Sequence, residues 1–447
     1  MKGLAVLSVF LLLPLIFFAS LAFYFLADGE ESPFSAQNQN LSTLSPEEAK
    51  QIAIDAYIYG YSLVTTEITK QAFTNTVRPD PERLQAPINQ IVNEPHYPPA
   101  TYKGVTAPNA DTLYTASFLD LSAEPMVFSY PDMGNRYFLF PIYDAWTEVI
   151  GVPGTRTAGG MARNILITGP SWKGKVPENM QQIKSPTNLV FMIGRVYSDG
   201  TPKDIGEVHA LQKQFKLVPL SSFGKAYSPP NGFFKKTKSK IEVVRDVINA
   251  MTSNEYFNLM AQAMKLSPPV LPRDAEIVKR MAKIGLVPGR PFDINKLDPG
   301  LREELKDIGK IAYSQIMAAK EKTGRVDNGW VIPSSAGTYG ADYLNRAAVS
   351  AFGWGANLPE DAVYPYALTG EDGKPLNGAT GYKLHFDKGQ MPPANGFWSI
   401  TMYDSQFYFY PNALDKLNIS PRNNLKYNDD GSLDLYFANK QPEGIPQ

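Results

Sequence analysis

Hydrophobic and polar positions follow two different periods along this chain. Ser45, Pro46 and Glu48 open the first regular stretch; they form a capping box with proline at the first helical position. Apolar side chains then recur three or four residues apart, at positions 52, 56, 59 and 63, the spacing of one face of an α-helix. The pattern predicts a helix that begins at Pro46.

Between about residues 100 and 220 the apolar runs become short. Examples are "TLYTASFLDL", "MVFSY", "YFLFPIY", "RNILITG" and "LVFMIGRVY", which Gly, Pro, Asn and Asp clusters separate. Short runs bounded by turn residues are typical of strands in an antiparallel sandwich or barrel.

Helical spacing returns over residues 240–322. One helix is predicted from about 241 to 251, and a second begins after the N-cap Asp298 and continues to 322. Short runs resume beyond residue 325, among them "YKLHF", "GFWSITMYD", "FYFYP" and "LDLYFA", with a hairpin turn predicted at "DDGS".

These patterns predict a mainly β fold with helices, of the α+β class. A chain of 447 residues is also too long for one ordinary core. We expect two antiparallel sandwich-like or barrel-like domains joined by a helical connector. The predicted segments are a hydrophobic segment at 1–28, a flexible tether at 29–43, an N-terminal β-rich domain at 44–225, the connector at 226–325 and a C-terminal β-rich domain at 326–447.

Residues 4–27 form an uncharged apolar run. At about 1.5 Å per residue it is long enough to cross a hydrocarbon core of about 30 Å. Lys2 precedes the run and acidic residues follow it, which favours a cytoplasmic N-terminus and an exported body. We therefore expect an inner-membrane anchor with the folded part in the periplasm or outside the cell. A cleaved signal peptide and secretion is the alternative, and a buried core helix is a third.

One sequence motif, which ends near a Tyr-Asp pair, occurs twice. "RYFLFPIYDAW" at 136–146 and "GFWSITMYDSQ" at 396–406 align at a constant offset, and each ends near a Tyr-Asp pair. Two related β units flanking the connector would produce this repeat, although chance resemblance between aromatic strands is a rival explanation.

Composition excludes several classes of function. The net charge is -1 and charged residues make up 19%, so nucleic acid is not an expected partner. The chain has no cysteine, which excludes thiol catalysis, disulfides and cysteine-based zinc sites. Its 24 Tyr and 24 Phe leave many large rings to bury. No phosphate-binding glycine loop is present, so no cofactor is expected.

Four motifs in order resemble two known families. They are "PNADTLY" at 108–114, Gly194-Arg195, "YLNR" at 343–346 and "GFWS" at 396–399. The chain is similar, over about 45–447, to bacterial envelope proteins that carry domain of unknown function 1254 followed by domain of unknown function 1214. The resemblance implies a two-part, β-rich fold, usually secreted or membrane-anchored, and it implies no agreed reaction. Similar proteins continue beyond the region where this chain ends, so we expect a truncated C-terminal sheet.

Candidate site residues come from the polar ends of these strands. Asn109, Asp111 and Tyr114 could supply an amide, a carboxylate and a phenol to a polar site, or they could close a turn. Asp144 could face a cleft and pair with Arg136 or Arg156, or it could end its strand. The predicted ligand-binding residues are Asn109, Asp111, Tyr114, Arg136, Asp144, Trp146, Arg195, Arg346 and Trp398.

Arg195 and Arg346 could each anchor a carboxylate or phosphate with a bidentate fork, or form structural ion pairs. His96, His209 and His385 show no metal-ligand spacing, so no metal site is expected. His385 is predicted to lie half-buried in a strand. A nucleophile elbow is absent, and the Ser222–Lys225 spacing is too loose a pattern to indicate catalysis.

We therefore expect an envelope protein that binds a small or extended ligand in an aromatic-lined cleft. One alternative is a cofactor-free hydrolase that uses Asp111 or Asp144 with a His or Tyr. Another is a structural envelope component. The reaction and the oligomeric state do not follow from the sequence.

Overall fold

The computed structural model describes residues 44–102, 107–236, 243–319 and 324–445. The predicted membrane segment at 1–28 and the tether at 29–43 lie outside these residues. Within the described part of the chain, no helix is both long enough and apolar enough to span a bilayer.

Helices and strands alternate in blocks. The helices are α1 (Pro46–Phe73), α2 (Thr155–Ala158), α3 (Pro202–Gln212), α4 (Val244–Asn249), α5 (Ser253–Leu266), α6 (Ala275–Ala282), α7 (Pro299–Glu304), α8 (Ile308–Ala319) and α9 (Tyr343–Gly353). The first ten strands are β1 (Val92–Asn93), β2 (Thr112–Asp120), β3 (Met126–Tyr130), β4 (Phe138–Leu139), β5 (Ile142–Asp144), β6 (Val149–Gly151), β7 (Arg163–Thr168), β8 (Gln181–Lys184), β9 (Leu189–Tyr197) and β10 (Lys216–Pro219). The later strands are β11 (Gly324–Asp327), β12 (Trp330–Pro333), β13 (Tyr382–Phe386), β14 (Ile400–Thr401), β15 (Asn418–Ile419) and β16 (Leu433–Phe437).

Helix α1 begins where its capping residues predict. The Ser45 hydroxyl accepts a hydrogen bond from the Glu48 backbone N–H at 3.1 Å, and Pro46 occupies the first helical position. This cap satisfies one of the N–H groups that the first turn leaves without an intrahelical partner. The predicted start of the helix is confirmed.

The early strands form two sheets that share one core. Strands β1, β2, β9, β5 and β6 pair in that order, with β4 also on β9, and β10, β3, β7 and β8 form the second sheet. Their pairings are antiparallel except for β7 with β8. The predicted α+β class is therefore confirmed: the fold is mixed, with helices as prominent as the strands, and the strands are mostly antiparallel.

Alternation along β2 and β9 sends side chains to opposite faces of the first sheet. On one face Leu113 and Met192 pack with Phe128 and Ile165 of the second sheet, and all four are essentially inaccessible to solvent. Burial of such side chains contributes roughly 1.5–3 kcal/mol each. This shared core holds the two sheets face to face.

The opposite face of the first sheet is only partly covered. Phe191 stacks on Tyr143 at 4.4 Å and on Trp354 at 4.2 Å between ring centroids. Phe118 contacts Phe73 of α1 at 5.3 Å. Helix α1 and the segment after α9 therefore cover the end of this face that carries Phe118 and Phe191.

The predicted helix from 298 to 322 is in fact two helices, α7 and α8. The Ser253 hydroxyl donates to the carbonyl oxygens of Leu305 at 2.6 Å and Lys306 at 3.3 Å. Ser253 thereby satisfies carbonyl groups at the end of α7, where a helix leaves its last carbonyls without partners. A tertiary contact thus accompanies a break that the apolar periodicity does not show.

The described strands between 324 and 445 form three two-stranded sheets, β11–β12, β13–β16 and β14–β15. The prediction of a strand at "FYFYP" is wrong, because only an isolated bridge joins Tyr403 to Phe409. The "DDGS" segment does turn the chain, with the Asn428 N–H donating to the Ser432 carbonyl. It does not close a hairpin of adjacent strands, since β16 pairs with the distant β13.

The repeated Tyr-Asp motif adopts the same turn at both sites. The Asp144 carboxylate accepts from the backbone N–H groups of Trp146 and Glu148 at 2.9 and 3.0 Å. The Asp404 carboxylate accepts from those of Gln406 and Tyr408, both at 2.9 Å.

Backbone geometry repeats as well. The third residue after each aspartate has a positive φ, 71° at Thr147 and 65° at Phe407. In each turn the aspartate N–H donates to the carbonyl four residues later. The Tyr-Asp motif therefore encodes the same local structure at both positions.

Candidate functional site

An open cleft lies over the uncovered end of the first sheet. Its volume of about 5320 Å³ is several times the roughly 300–1,000 Å³ of a typical small-molecule pocket. Size alone therefore does not locate a binding site in it. The polar side chains that meet in the cleft indicate more closely where a ligand could bind.

Three residues on neighbouring strands form a row across this end of the sheet. Tyr114 of β2 pairs with Arg195 of β9. Glu94, directly after β1, donates its backbone N–H to the Tyr114 carbonyl at 2.8 Å. All three line the cleft, and directly opposite residues in a sheet present their side chains side by side.

Arg195 is the cation of this row. Its guanidinium carbon lies 5.3 Å from the ring centroid of Tyr114 and 5.8 Å from that of Tyr364. Nη1 donates to the Tyr364 hydroxyl at 2.6 Å, while the buried Nε has no hydrogen-bond partner. Among the described residues no carboxylate pairs with it, so Arg195 has an unbalanced positive charge beside two aromatic rings.

An asparagine supports each of the two tyrosines. Asn109 Nδ2 lies 3.4 Å from the Tyr114 hydroxyl, and Asn357 Nδ2 donates to the Tyr364 hydroxyl at 2.7 Å. Burial raises the pKa of Tyr114, so its phenol stays protonated at neutral pH. Tyr114 is thus a neutral wall beside Arg195, and the Tyr364 ring lies on the other side.

Glu94 is the carboxylate of the row. Its Oε2 accepts from the Tyr114 N–H at 3.3 Å. Burial raises the pKa of Glu94 to about 7, against a lowering effect of that hydrogen bond. The carboxyl group therefore changes its charge near neutral pH.

Asp111 occupies a different position, at the contact with the C-terminal segment. Its carboxylate accepts from the Ser399 hydroxyl at 2.6 Å and from Asn418 Nδ2 at 3.0 Å. Arg422 Nη1 lies 2.7 Å from the same carboxylate. Asp111 is buried and its carboxylate has two hydrogen-bond partners and one ion-pair partner. Such a fully bonded carboxylate is typical of a structural role.

The structure pairs Arg136 and Arg156 with carboxylates other than Asp144. Arg136 donates to both oxygens of Asp204, at 2.7 and 3.0 Å. Arg156 makes a similar double contact with Asp361, at 2.7 and 2.8 Å. Both arginines line the cleft, but their charges are already balanced.

Asp144, Trp146 and Arg346 lie away from the cleft, in a buried junction next to α1. Three rings surround the Arg346 guanidinium, with centroids at 5.0 to 5.4 Å, and its Nη2 donates to the Tyr59 carbonyl at 2.9 Å. Among the described residues it forms no ion pair. Burial raises the pKa of Asp144 to about 7.

Trp398, the last of the predicted site residues, does line the cleft. Its ring centroid lies 6.0 Å from that of Phe386. The structure therefore brings Asn109, Tyr114 and Arg195 together and leaves Trp398 on another part of the wall.

The histidines do not assemble a site. His209 contacts the Pro95 carbonyl through Nε2 at 2.9 Å. His385 lies in β13 as predicted, but its side chain is exposed, and its Nδ1 is 2.6 Å from Asp434 across the strand pair. This neighbouring carboxylate raises the pKa of His385. No group of three metal-ligating side chains occurs in the part of the chain that the structure describes.

Three residues of this site, Glu94, Asn357 and Tyr364, are not predicted from the sequence. Glu94 follows a strand of only two residues, too short to show alternation. Asn357 and Tyr364 come from an irregular segment more than 160 residues after Arg195 along the chain. Asn109 precedes Tyr114 by five residues whereas Asn357 precedes Tyr364 by seven, so no common spacing in the sequence signals the second pair.

Comparison with known proteins agrees with the resemblance. Residues 88–219 match a family described as a protein of unknown function, DUF1254, and residues 361–447 match another, DUF1214. No curated protein matches the chain.

Two solved structures also match the chain. The VPA0106 protein from Vibrio parahaemolyticus has a TM-score of 0.60 at 21% identity, over 89% of this chain and 90% of that one. An uncharacterized protein from Burkholderia cenocepacia has a TM-score of 0.35 at 9% identity, over 89% and 85%. The first similarity shows a shared fold. The chain thus carries a DUF1254 region followed by a DUF1214 region, in the order that its motifs predict.

Proposed function

We propose that this protein binds a small organic anion in its aromatic-lined cleft, with Arg195 as the contact for the anion. The observation that supports this is the state of the Arg195 guanidinium. It remains protonated at physiological pH, and no described carboxylate balances it. Nη2 is neither hydrogen-bonded nor sealed from the cleft, so a carboxylate or phosphate oxygen has a donor to bind.

The walls of this position suit an organic ligand. Tyr114 and Tyr364 flank the guanidinium, and binding sites combine apolar or aromatic walls with a few placed polar groups. An anion beside a half-buried guanidinium also gains more than it would at a surface, because the local dielectric constant is lower.

The structure offers less support for a hydrolase. Asp111 has its carboxylate committed to Ser399, Asn418 and Arg422. Asp144 is fully buried and is not part of the cleft wall. A general base needs to reach its substrate within about 3 Å or through one water. Asp144 lacks that access, and Asp111, although it lines the cleft, already has its carboxylate oxygens occupied.

The proposal keeps two predictions from the sequence. One is delivery across or into the inner membrane through residues 4–27; fractionation that finds the mature chain free in the cytosol would contradict it. The other is a second antiparallel β unit within 326–447, related to the first. The repeated turn at Asp144 and Asp404 supports this second prediction.

Binding is tested on the full-length chain by calorimetry with acetate, benzoate and inorganic phosphate, and with benzamide as a neutral analogue. We expect at least one anion to bind and benzamide not to bind. Arg195→Gln should weaken anion binding by about tenfold or more, since charged hydrogen bonds contribute about 1.5–3 kcal/mol. Arg195→Lys should retain part of the affinity.

Arg83→Gln is the matched control. Arg83 also lines the cleft, but its side chain is 69% exposed, so its removal should leave affinity unchanged. Equal losses in the two variants, or no anion binding at all, would refute the proposal.

A further inference from the structure

The cleft holds a second polar group beside Arg195 that the anion does not use. Glu94 and Arg195 lie on either side of Tyr114, on successive positions across the sheet. Two strand spacings separate their backbones, roughly 10 Å. A ligand that lies over the Tyr114 ring would therefore have one end at each of them.

One oxygen of the Glu94 carboxyl is available in the cleft. Oε2 accepts from the Tyr114 N–H, whereas Oε1 has no partner among the described residues and is not sealed from solvent. A free carboxyl oxygen accepts a hydrogen bond from a hydroxyl group. Arg195 and Glu94 thus offer an anion contact and a hydroxyl contact at opposite ends of one surface.

We propose that the ligand is a ring-shaped hydroxy acid, with a carboxylate at Arg195 and a hydroxyl group at Glu94 on the opposite side of the ring. This inference rests on the proposed function and adds the class of ligand. A rigid ring with its two groups on opposite edges extends from one contact toward the other over Tyr114. A short acid with both groups on adjacent carbons does not.

Protonation of Glu94 gives a further signature of this contact. Among the described residues, the titratable or charged groups around it are Tyr102, Tyr114 and Arg195, while His209 contacts the neighbouring Pro95 carbonyl. Because the pKa of Glu94 is about 7, the carboxyl becomes negative between pH 6 and pH 8. Over this range benzoate itself should bind more weakly, whereas the added benefit of a hydroxyl group should increase.

Matched pairs of acids test the inference on the full-length chain. We expect 4-hydroxybenzoate to bind about tenfold more tightly than benzoate at pH 8, as one hydrogen bond to a charged group allows. Lactate should bind no more tightly than propionate. In Glu94→Ala the preference for 4-hydroxybenzoate should vanish while benzoate binding persists. Glu371→Ala, which removes an exposed carboxylate from the same cleft, should keep the preference.

Glu94→Gln preserves the side-chain shape and decides the matter if the alanine variant does not fold; it should abolish the change in preference between pH 6 and pH 8. If benzoate binds through Arg195 but the hydroxyl preference is absent, or survives in Glu94→Ala, the hydroxy-acid inference fails and the proposed function stands. If no anion binds, both fail.

Discussion

At the scale of residues, the surroundings of a side chain give the same residue type different roles. Arg195 and Arg346 lack an ion pair with any described residue, and both contact aromatic rings. Arg195 lines the cleft, whereas Arg346 is 0% exposed. Arg346 therefore packs against the rings of the interior, whereas a guanidinium in a cleft can bind a ligand.

The buried Asp144 should make stability depend on pH. Its folded pKa is about 7, above the ordinary 3.8, so the protonated form is favoured on folding. This contribution is fully present below about pH 4 and is lost as pH rises toward 7.

Asp144→Asn removes that titration. Relative to wild type, the variant should gain roughly 2 kcal/mol in free energy of unfolding between pH 5 and pH 7. Chemical denaturation at the two pH values measures the difference, and the titration of Glu94 cancels because both proteins contain it. A pH-independent difference would show that Asp144 is charged throughout.

At the scale of elements, the repeated Tyr-Asp motif is the feature whose structure depends most directly on the local sequence. An aspartate carboxylate can accept a hydrogen bond from the backbone N–H two residues later, and this bond favours a turn of this kind. Both copies form it, with hydrogen bonds of nearly equal length at Asp144 and Asp404. What differs is burial, since Asp144 is 1% exposed and Asp404 is half-buried.

Matched alanine variants should separate the turn from its burial. Asp144→Ala leaves two buried N–H groups without acceptors, and we expect a loss of about 1–3 kcal/mol in free energy of unfolding for each group that water cannot reach. Asp404→Ala should cost less, about 0.5–1.5 kcal/mol, because water can replace the carboxylate. Equilibrium denaturation of both variants at pH 4, below the range in which the titration of Asp144 changes stability, measures this order, and a reversed order would contradict it.

Boundaries of elements depend on contacts from elsewhere in the chain. The cap at Ser45 is local, and the start of α1 follows from it. The break between α7 and α8 involves Ser253, more than 50 residues earlier along the chain. Periodicity shows which residues face the core, but a distant donor to a carbonyl leaves no periodic signal.

At the scale of the whole molecule, the described residues belong to one compact unit. The segments near its two ends meet at Asp111. Its carboxylate binds Arg422, Asn418 and Ser399, and the Tyr403 hydroxyl donates to the Pro108 carbonyl at 2.8 Å. The predicted domain boundaries at 225 and 325 stay predictions.

Removal of Arg422 should loosen this contact. The pair is largely buried, with side chains 13% and 7% exposed, and loss of one partner of a buried pair typically costs about 3–5 kcal/mol. In Arg422→Met we expect faster backbone hydrogen exchange in 107–111 and 396–422, while the core strands β2 and β9 keep their protection. Lys426→Met, which removes an exposed charge four residues further along the chain, should leave exchange unchanged. Unaltered exchange in Arg422→Met would show that the contact does not hold the segments together.

Local features of this protein follow from its sequence alone. Ser45 and Asp298 set helix starts and Tyr-Asp pairs set turns, because each depends on neighbours within a few residues. Short aromatic runs predict strands less reliably, since "FYFYP" forms only an isolated bridge. Which polar residues meet depends on the tertiary structure. Tyr114 is beside Arg195 because β2 pairs with β9 in one register, and Tyr364 joins them from far along the chain. Strand register and long-range contacts are set by the packing of whole faces, so no local pattern could place Arg195 in the cleft and Arg346 in the interior.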